Sequence, residues 1–262
     1  MKIPVILVMA VFSIGAWIMV LAPHPLHGSD ANTPVLVELF TSEGCSSCPP
    51  ADKLLQRLDE QPIEGADVIV LSEHVDYWNH IGWRDPYSAR LYSERQSGYA
   101  QRFGLESPYT PQMVVDGTTE FVGSDSQLAD RAFQKALRVQ KLPVHLTSVF
   151  ANLSTLHAHL EAGPLDASFP SREADVYVAV ALNHAESQVS AGENSGHRLA
   201  HVSVVKSLTK IGTLKKGQVL AQDLQLRLEP GSGPRGLRLI AFVQEPGQGR
   251  VLGATSSQVA AQ

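Results

Sequence analysis

The sequence predicts an α/β domain over residues 32–142 followed by an all-β, sandwich-like domain over residues 143–262, behind a separate leader over residues 1–31. Three observations lead there. The opening thirty residues are apolar in a way that nothing later is. Residues 35–137 alternate strand-like runs with runs of helical period, and from Leu142-Pro143 onward short strand-like runs are separated by Gly, Pro and Asn.

The leader begins Met1-Lys2 and continues apolar from Ile3 to Ala22, broken only by Pro4, Ser13 and Gly15. A short positive start before an apolar run is the pattern of a secretory signal. Ser29-Asp30-Ala31 offers small residues for cleavage, whereas the length of the run also suits an uncleaved N-terminal membrane anchor. No cysteine lies in it, which excludes lipid attachment at a thiol. Both alternatives place the folded part across a membrane, periplasmic or secreted. With 262 residues, 44% hydrophobic and 18% charged, the chain has room for one large domain or two modest ones. A formal net charge of −5 and the lack of long Lys/Arg runs give no nucleic-acid footprint and no polybasic membrane patch.

Val35 to Phe40 reads as a buried strand, and Thr41 to Gly44 as a turn. Ala51, Leu54, Leu55 and Leu58 then recur at helical spacing, with Pro49 and Pro50 in the first turn, where proline is tolerated. Val68 to Leu71 is a second strand. An irregular aromatic stretch from His74 to Pro86 precedes a helix marked by Leu91, Tyr92, Arg95, Tyr99 and Phe103. Asp116-Gly117 between Gln112–Val115 and Thr118–Val122 signals a hairpin, and Ser124 or Asp125 caps a helix carrying Leu128, Ala132, Phe133, Ala136 and Leu137. The β half is expected as strands at 144–150, 155–161, 175–182, 199–208, 217–228, 237–243 and 251–255.

The only two cysteines are Cys45 and Cys48. A structural staple over so short a loop restricts the unfolded chain little, and two thiols alone cannot close a zinc site. Redox chemistry suits them better. A thiol works as its thiolate, and a helix start is expected to aim unpaired backbone N–H groups and its positive end at the sulfur, where the thiol pKa falls from about 8.5 to roughly 3.5–7.5. Cys45, just ahead of the helix, is the expected attacking sulfur, and Cys48 the resolving one. That assignment requires Cys45 to be reachable from solvent.

Val37-Glu38-Leu39-Phe40, the turn, and Cys45-Ser46-Ser47-Cys48 together resemble the active-site entry of thioredoxin-fold oxidoreductases. The resemblance implies a thioredoxin-like first domain, a proton-moving role for Glu38, and a cis peptide bond at Thr110-Pro111 beside the cysteines, with Thr110 offering backbone groups to a bound peptide. The sequence departs from that pattern in having Gly44 where an aromatic residue usually stands, and one extra residue between Glu38 and Cys45. More narrowly, Glu38 to Asp52, His74 to Trp78, Gly82 to Pro86, Tyr109 to Gln112, Gly192 to Asn194 and Ala241 to Val243 resemble the bacterial exported family catalogued as domain of unknown function 1223.

His74, Tyr77 and Trp78 follow the second strand at the end where α/β sheets bind ligands, and are expected to line a substrate groove. His74, Asp76 and His80 together with Cys45, or His157 and His159, are alternative metal ligands. No Gly-x-Ser-x-Gly elbow or phosphate loop is present. The reading is thus an exported thiol–disulfide oxidoreductase that needs no organic cofactor and no metal, acting on a protein or small thiol/disulfide substrate with a redox partner. Its alternative is a non-catalytic protein- or metal-binding module on the same scaffold.

Overall fold

The computed structural model describes residues 32–228 and 235–261, so the leader expected over residues 1–31 lies outside the described residues. In chain order the elements are β1 (Thr33–Thr41), α1 (Pro49–Glu60), β2 (Ala66–His74), α2 (Arg90–Phe103), β3 (Gln112–Val115), β4 (Thr119–Val122) and α3 (Ser126–Ala136). Then come β5 (Val144–Ala151), β6 (Thr155–Ala162), β7 (Glu173–Gln188), β8 (Arg198–Lys215), β9 (Leu220–Arg227), β10 (Leu237–Gln244), β11 (Val251–Gln258) and β12 (Ala260–Ala261).

Local chemistry sets the ends of these elements. Asp125 Oδ1 accepts the Leu128 N–H at 2.9 Å and caps α3. Gly104 takes φ 68° and ends α2, the left-handed cap that glycine accepts without strain. In the β3–β4 hairpin Asp116 and Gly117 have φ of 50° and 64°, positive at both central residues as a tight two-residue hairpin turn requires. A side chain at position 117 would run into the carbonyl oxygen of Gly249.

One eight-stranded sheet runs β11-β10-β7-β8-β2-β1-β3-β4, and a four-stranded sheet runs β12-β5-β6-β9. Strands β1 and β2 are parallel, β3 is antiparallel to β1, and β8 joins β2 in parallel at Ser72–Val204. The division expected at residue 142 therefore runs through a shared sheet. The described residues from Asn32 onward form one unit, because β7, β8, β10 and β11 extend the sheet built by the first half. Only β5, β6, β9 and β12 stand apart as a second layer. Leu156 and Leu160 of that layer close a core with Val176, Val178, Leu239 and Ala241.

Strand β1 sorts its side chains by parity. Val35, Val37 and Leu39 pack on α1 and α3, whereas Leu36 and Phe40 face the opposite way into clusters containing Tyr92 and Tyr99 of α2. Phe242 of β10 joins this second side, fully buried and stacked on Tyr177 at 5.1 Å, with Arg95 over its ring at 5.4 Å. Unfolding in urea is expected to be one cooperative transition, with tryptophan fluorescence and far-UV circular dichroism coincident. Phe242→Ala should cost about 3–5 kcal/mol and move both signals together, and two separated transitions would contradict the shared sheet.

Candidate functional site

Cys45 and Cys48 are joined by a disulfide, with Cα atoms 5.4 Å apart. The preceding turn is closed by the Cys45 N–H on the Ser42 carbonyl at 3.1 Å, and Cys48 is the N-cap of α1. Here two expectations are corrected. Pro49 and Pro50 occupy the first two helical positions and carry no N–H, while Ala51 and Asp52 donate to the Cys48 carbonyl at 2.8 and 3.1 Å. The helix thus aims its dipole, but not a set of free donors, at the pair. The contact made by the Cys45 sulfur is with Ser47 Oγ at 3.3 Å. Nor is Cys45 open to solvent, since both cysteines have 0% exposure.

The loop between β7 and β8 lies against the backbone around Cys45. Asn194 Nδ2 donates to the carbonyls of Glu43 and Cys45 at 2.9 and 3.0 Å, and the Ser46 N–H donates to Glu193 Oε2 at 3.0 Å. Hydrogen bonds from Ser46 hold the Glu193 carboxyl below its usual range. Gly192, at φ 75°, lies so close to Trp83 that an added Cβ would sit 3.2 Å from the tryptophan Cβ.

Trp78, Thr110 and Pro111 border the same spot. Thr110-Pro111 is a cis peptide bond. A Cβ added at Gly123 would meet Ala51 Cβ at 3.2 Å and Pro111 Cβ at 3.4 Å, which sets Pro111 against the first turn of α1. Trp78 Nε1 donates to Thr110 Oγ1 at 2.7 Å. A Cβ at Gly44 would lie 3.1 Å from Trp78 Cβ, so Trp78, from the loop after β2, packs closely over this glycine. Tyr77, 36% exposed, donates its hydroxyl to Gln96 Oε1 at 3.1 Å, and its ring lies 6.4 Å from that of Trp78.

Glu38 and His74 stand elsewhere than expected. Glu38 lies on the α2 side of β1, away from α1, and its carboxylate takes Arg95 Nε and the Tyr99 hydroxyl, each at 2.5 Å. Gln244 completes the group by donating to Tyr99, and Glu73 adds a second carboxyl 3.6 Å from Arg95. Burial, with the nearby Glu38 charge, pushes the Glu73 carboxyl well above its usual range. This group fixes α2 to the sheet on the face of β1 that turns away from α1. His74 is fully buried and held by Asp85 at 2.7 Å, out of reach of a substrate.

Beneath the disulfide, on the α1 side, lies a group that the sequence reading missed. Asp52 follows Cys48 by one helical turn on the same face and accepts the Thr41 hydroxyl at 3.0 Å. His201 of β8 sits between Asp52, at 3.7 Å, and Glu43, at 3.4 Å, with its ring 4.7 Å from that of His74. Both ion pairs are too long or too bent for directed hydrogen bonds, so charge holds this imidazole more than geometry does. The i, i+4 spacing of Cys48 and Asp52 was a legible signal; nothing local pointed to His201.

The alternative metal ligands do not assemble. His80 is exposed, Asp76 accepts the Ser93 hydroxyl, His157 stacks on Phe150, and His159 pairs with Asp223. Among the described residues no group of three or more His, Cys, Asp or Glu side chains is arranged to hold a metal ion.

Burial alone would lower the His201 imidazole, but the carboxylates of Asp52 and Glu43 outweigh it and push it up to about 10. A folded value above the unfolded value near 6.5 makes this charge stabilising below pH ~6.5, with the contribution lost as pH rises toward about 10. Stability from urea titrations should therefore fall across that window in the wild type and fall less in His201→Gln. Parallel profiles would remove His201 from the account.

Among solved structures the chain is similar to protein AGR_C_4864 from Agrobacterium tumefaciens, with 26% identity and a TM-score of 0.66 over 87% of this chain and 95% of that one. It is also similar to HBP35 of Porphyromonas gingivalis, with 15% identity and a TM-score of 0.64 over 87% of this chain and 76% of that one; this likeness concerns the fold alone. No curated protein matches. Residues 36–244, well over half of the sequence, match the family model described as "Protein of unknown function (DUF1223)". The chain belongs to the DUF1223 family.

Proposed function

We propose that this protein is an exported thiol–disulfide oxidoreductase working through Cys45 and Cys48 on a thioredoxin-like half. One observation carries the reading: the bonded pair sits at the start of α1 with a cis-bonded Pro111 against the same first turn. The order β2-β1-β3-β4, with α1 and α3 on one side and α2 on the other, supports the thioredoxin-like assignment. Export rests on the apolar run from Ile3 to Ala22, and suits a pair held oxidised.

In the exchange a partner thiolate attacks Cys45 Sγ. A partner–Cys45 bond forms, the Cys45–Cys48 bond breaks, and Cys48 leaves as a thiolate that takes a proton from solvent. The partner's second thiolate then attacks the partner sulfur of the mixed disulfide. This step forms the partner's own disulfide, releases Cys45, and moves two electrons from the partner to the pair. The reverse sequence reduces a substrate disulfide. A second redox partner, itself a dithiol or disulfide, resets the pair.

A second reading has an observation of its own. With 0% exposure at both cysteines, the pair is a closed staple in a scaffold that binds a partner by other surfaces.

Two assays separate the readings. Insulin reduction and the refolding of a scrambled disulfide protein should both be catalysed by the wild type and lost in Cys45→Ser. Cys48→Ser should retain a mixed disulfide through Cys45. Inactivity in both assays, together with a reduced Cys45 that resists alkylation at neutral pH, would favour the scaffold.

A further inference from the structure

The contacts that cover the cysteines are of one kind. Along residues 43–46 the backbone presents two carbonyls, of Glu43 and Cys45, and one N–H, of Ser46, and each is met by the side chain of Asn194 or Glu193. Asn194 is 5% exposed and turned inward. Residues 43–46 form a turn beyond the end of β1, and the amide donor for its carbonyls and the carboxylate acceptor for its N–H stand where the N–H and carbonyl groups of a bound polypeptide backbone could pair instead. Trp78 borders the same stretch at Gly44, and Thr110 is bonded to Trp78. The loop itself is closed at its base by its own bonds, Val189 N–H to the His197 carbonyl and Gly196 N–H to the Val189 carbonyl. It can therefore lift without dismantling β7 or β8.

We infer that residues 192–194 are a strap occupying a polypeptide-docking turn, and that a polypeptide bearing the substrate thiol displaces it to reach Cys45. This rests on the exchange reading and names its substrate class: a polypeptide, rather than a small thiol without amide groups. A polypeptide replaces the three hydrogen bonds lost with the strap. A small thiol leaves carbonyl and N–H groups unpaired, which slows its access.

The test uses the full oxidised chain and the rate at which the phosphine TCEP, which needs no docking turn, reduces the disulfide, read by mass after alkylation in 0.5 M salt. Asn194→Ala should be reduced about tenfold faster than wild type. Asn183→Ala, whose amide bonds Gln258 at the far edge of the sheet, should match wild type. If Asn194→Ala does not fold, Glu193→Gln at the exposed end of the strap carries the same expectation, with a smaller increase. In a second arm, a reduced peptide dithiol is compared with dithiothreitol. Wild type should favour the peptide, and Asn194→Ala should lose that preference.

Equal TCEP rates in wild type and folded strap variants would overturn the strap, even where insulin reduction succeeds. Equal peptide and dithiothreitol rates in wild type would overturn the polypeptide assignment. Faster reduction of Asn194→Ala without any catalysed exchange would leave the strap standing and remove the exchange reading.

Discussion

Strand β8 lies parallel to β2 at Ser72–Val204, and this junction brings the second half of the chain to the cysteines. Ser203, at φ 48°, bends the strand there, and its hydroxyl bonds the Val70 carbonyl across the junction at 2.5 Å. With 18 residues, β8 is about 60 Å long. One end packs under the small sheet through Leu214, and the other carries His201 beneath the disulfide and ends at the loop that covers it. Were β8 set against another strand, neither His201 nor Asn194 would reach a motif some 150 residues earlier in the chain.

The two faces of the sheet hold two buried polar groups with different work. On the α2 side, Glu38, Arg95, Tyr99 and Gln244 bond one another and lock helix to sheet, while Glu73 stands 3.6 Å from Arg95 with both carboxyl oxygens lacking a hydrogen-bond partner; removing the arginine would strand two carboxyls in the core. On the α1 side, Asp52 stands one helical turn after Cys48 with Glu43 and His201 beside it, and Glu43 Oε1 and both His201 ring nitrogens likewise lack a hydrogen-bond partner.

Much of the first half was legible because its signals are local. The apolar period gave α1, Asp116-Gly117 gave the hairpin, and Asp125 gave the cap of α3. Two corrections were also within reach of the sequence. Val37 and Leu39 flank Glu38, so a strand resting those two on α1 must turn Glu38 away from it. Pro49 and Pro50 cannot donate hydrogen bonds wherever they stand. The neighbour of β2 was beyond local reading, because strand order in a sheet is decided by contacts far apart in sequence. The same holds for Asn194, whose amide is meaningful only against the carbonyls it meets. The change of pattern at residue 142 was real, but it marks where helices stop covering the sheet and not where the sheet ends.

The central claim, a bond built for exchange and merely covered, is tested most directly by the reduction potential of the Cys45–Cys48 pair, measured by equilibration in defined thiol/disulfide buffers. The account places it between about −270 and −120 mV, where catalytic dithiols lie. A value below about −300 mV, the range of structural disulfides, would contradict it.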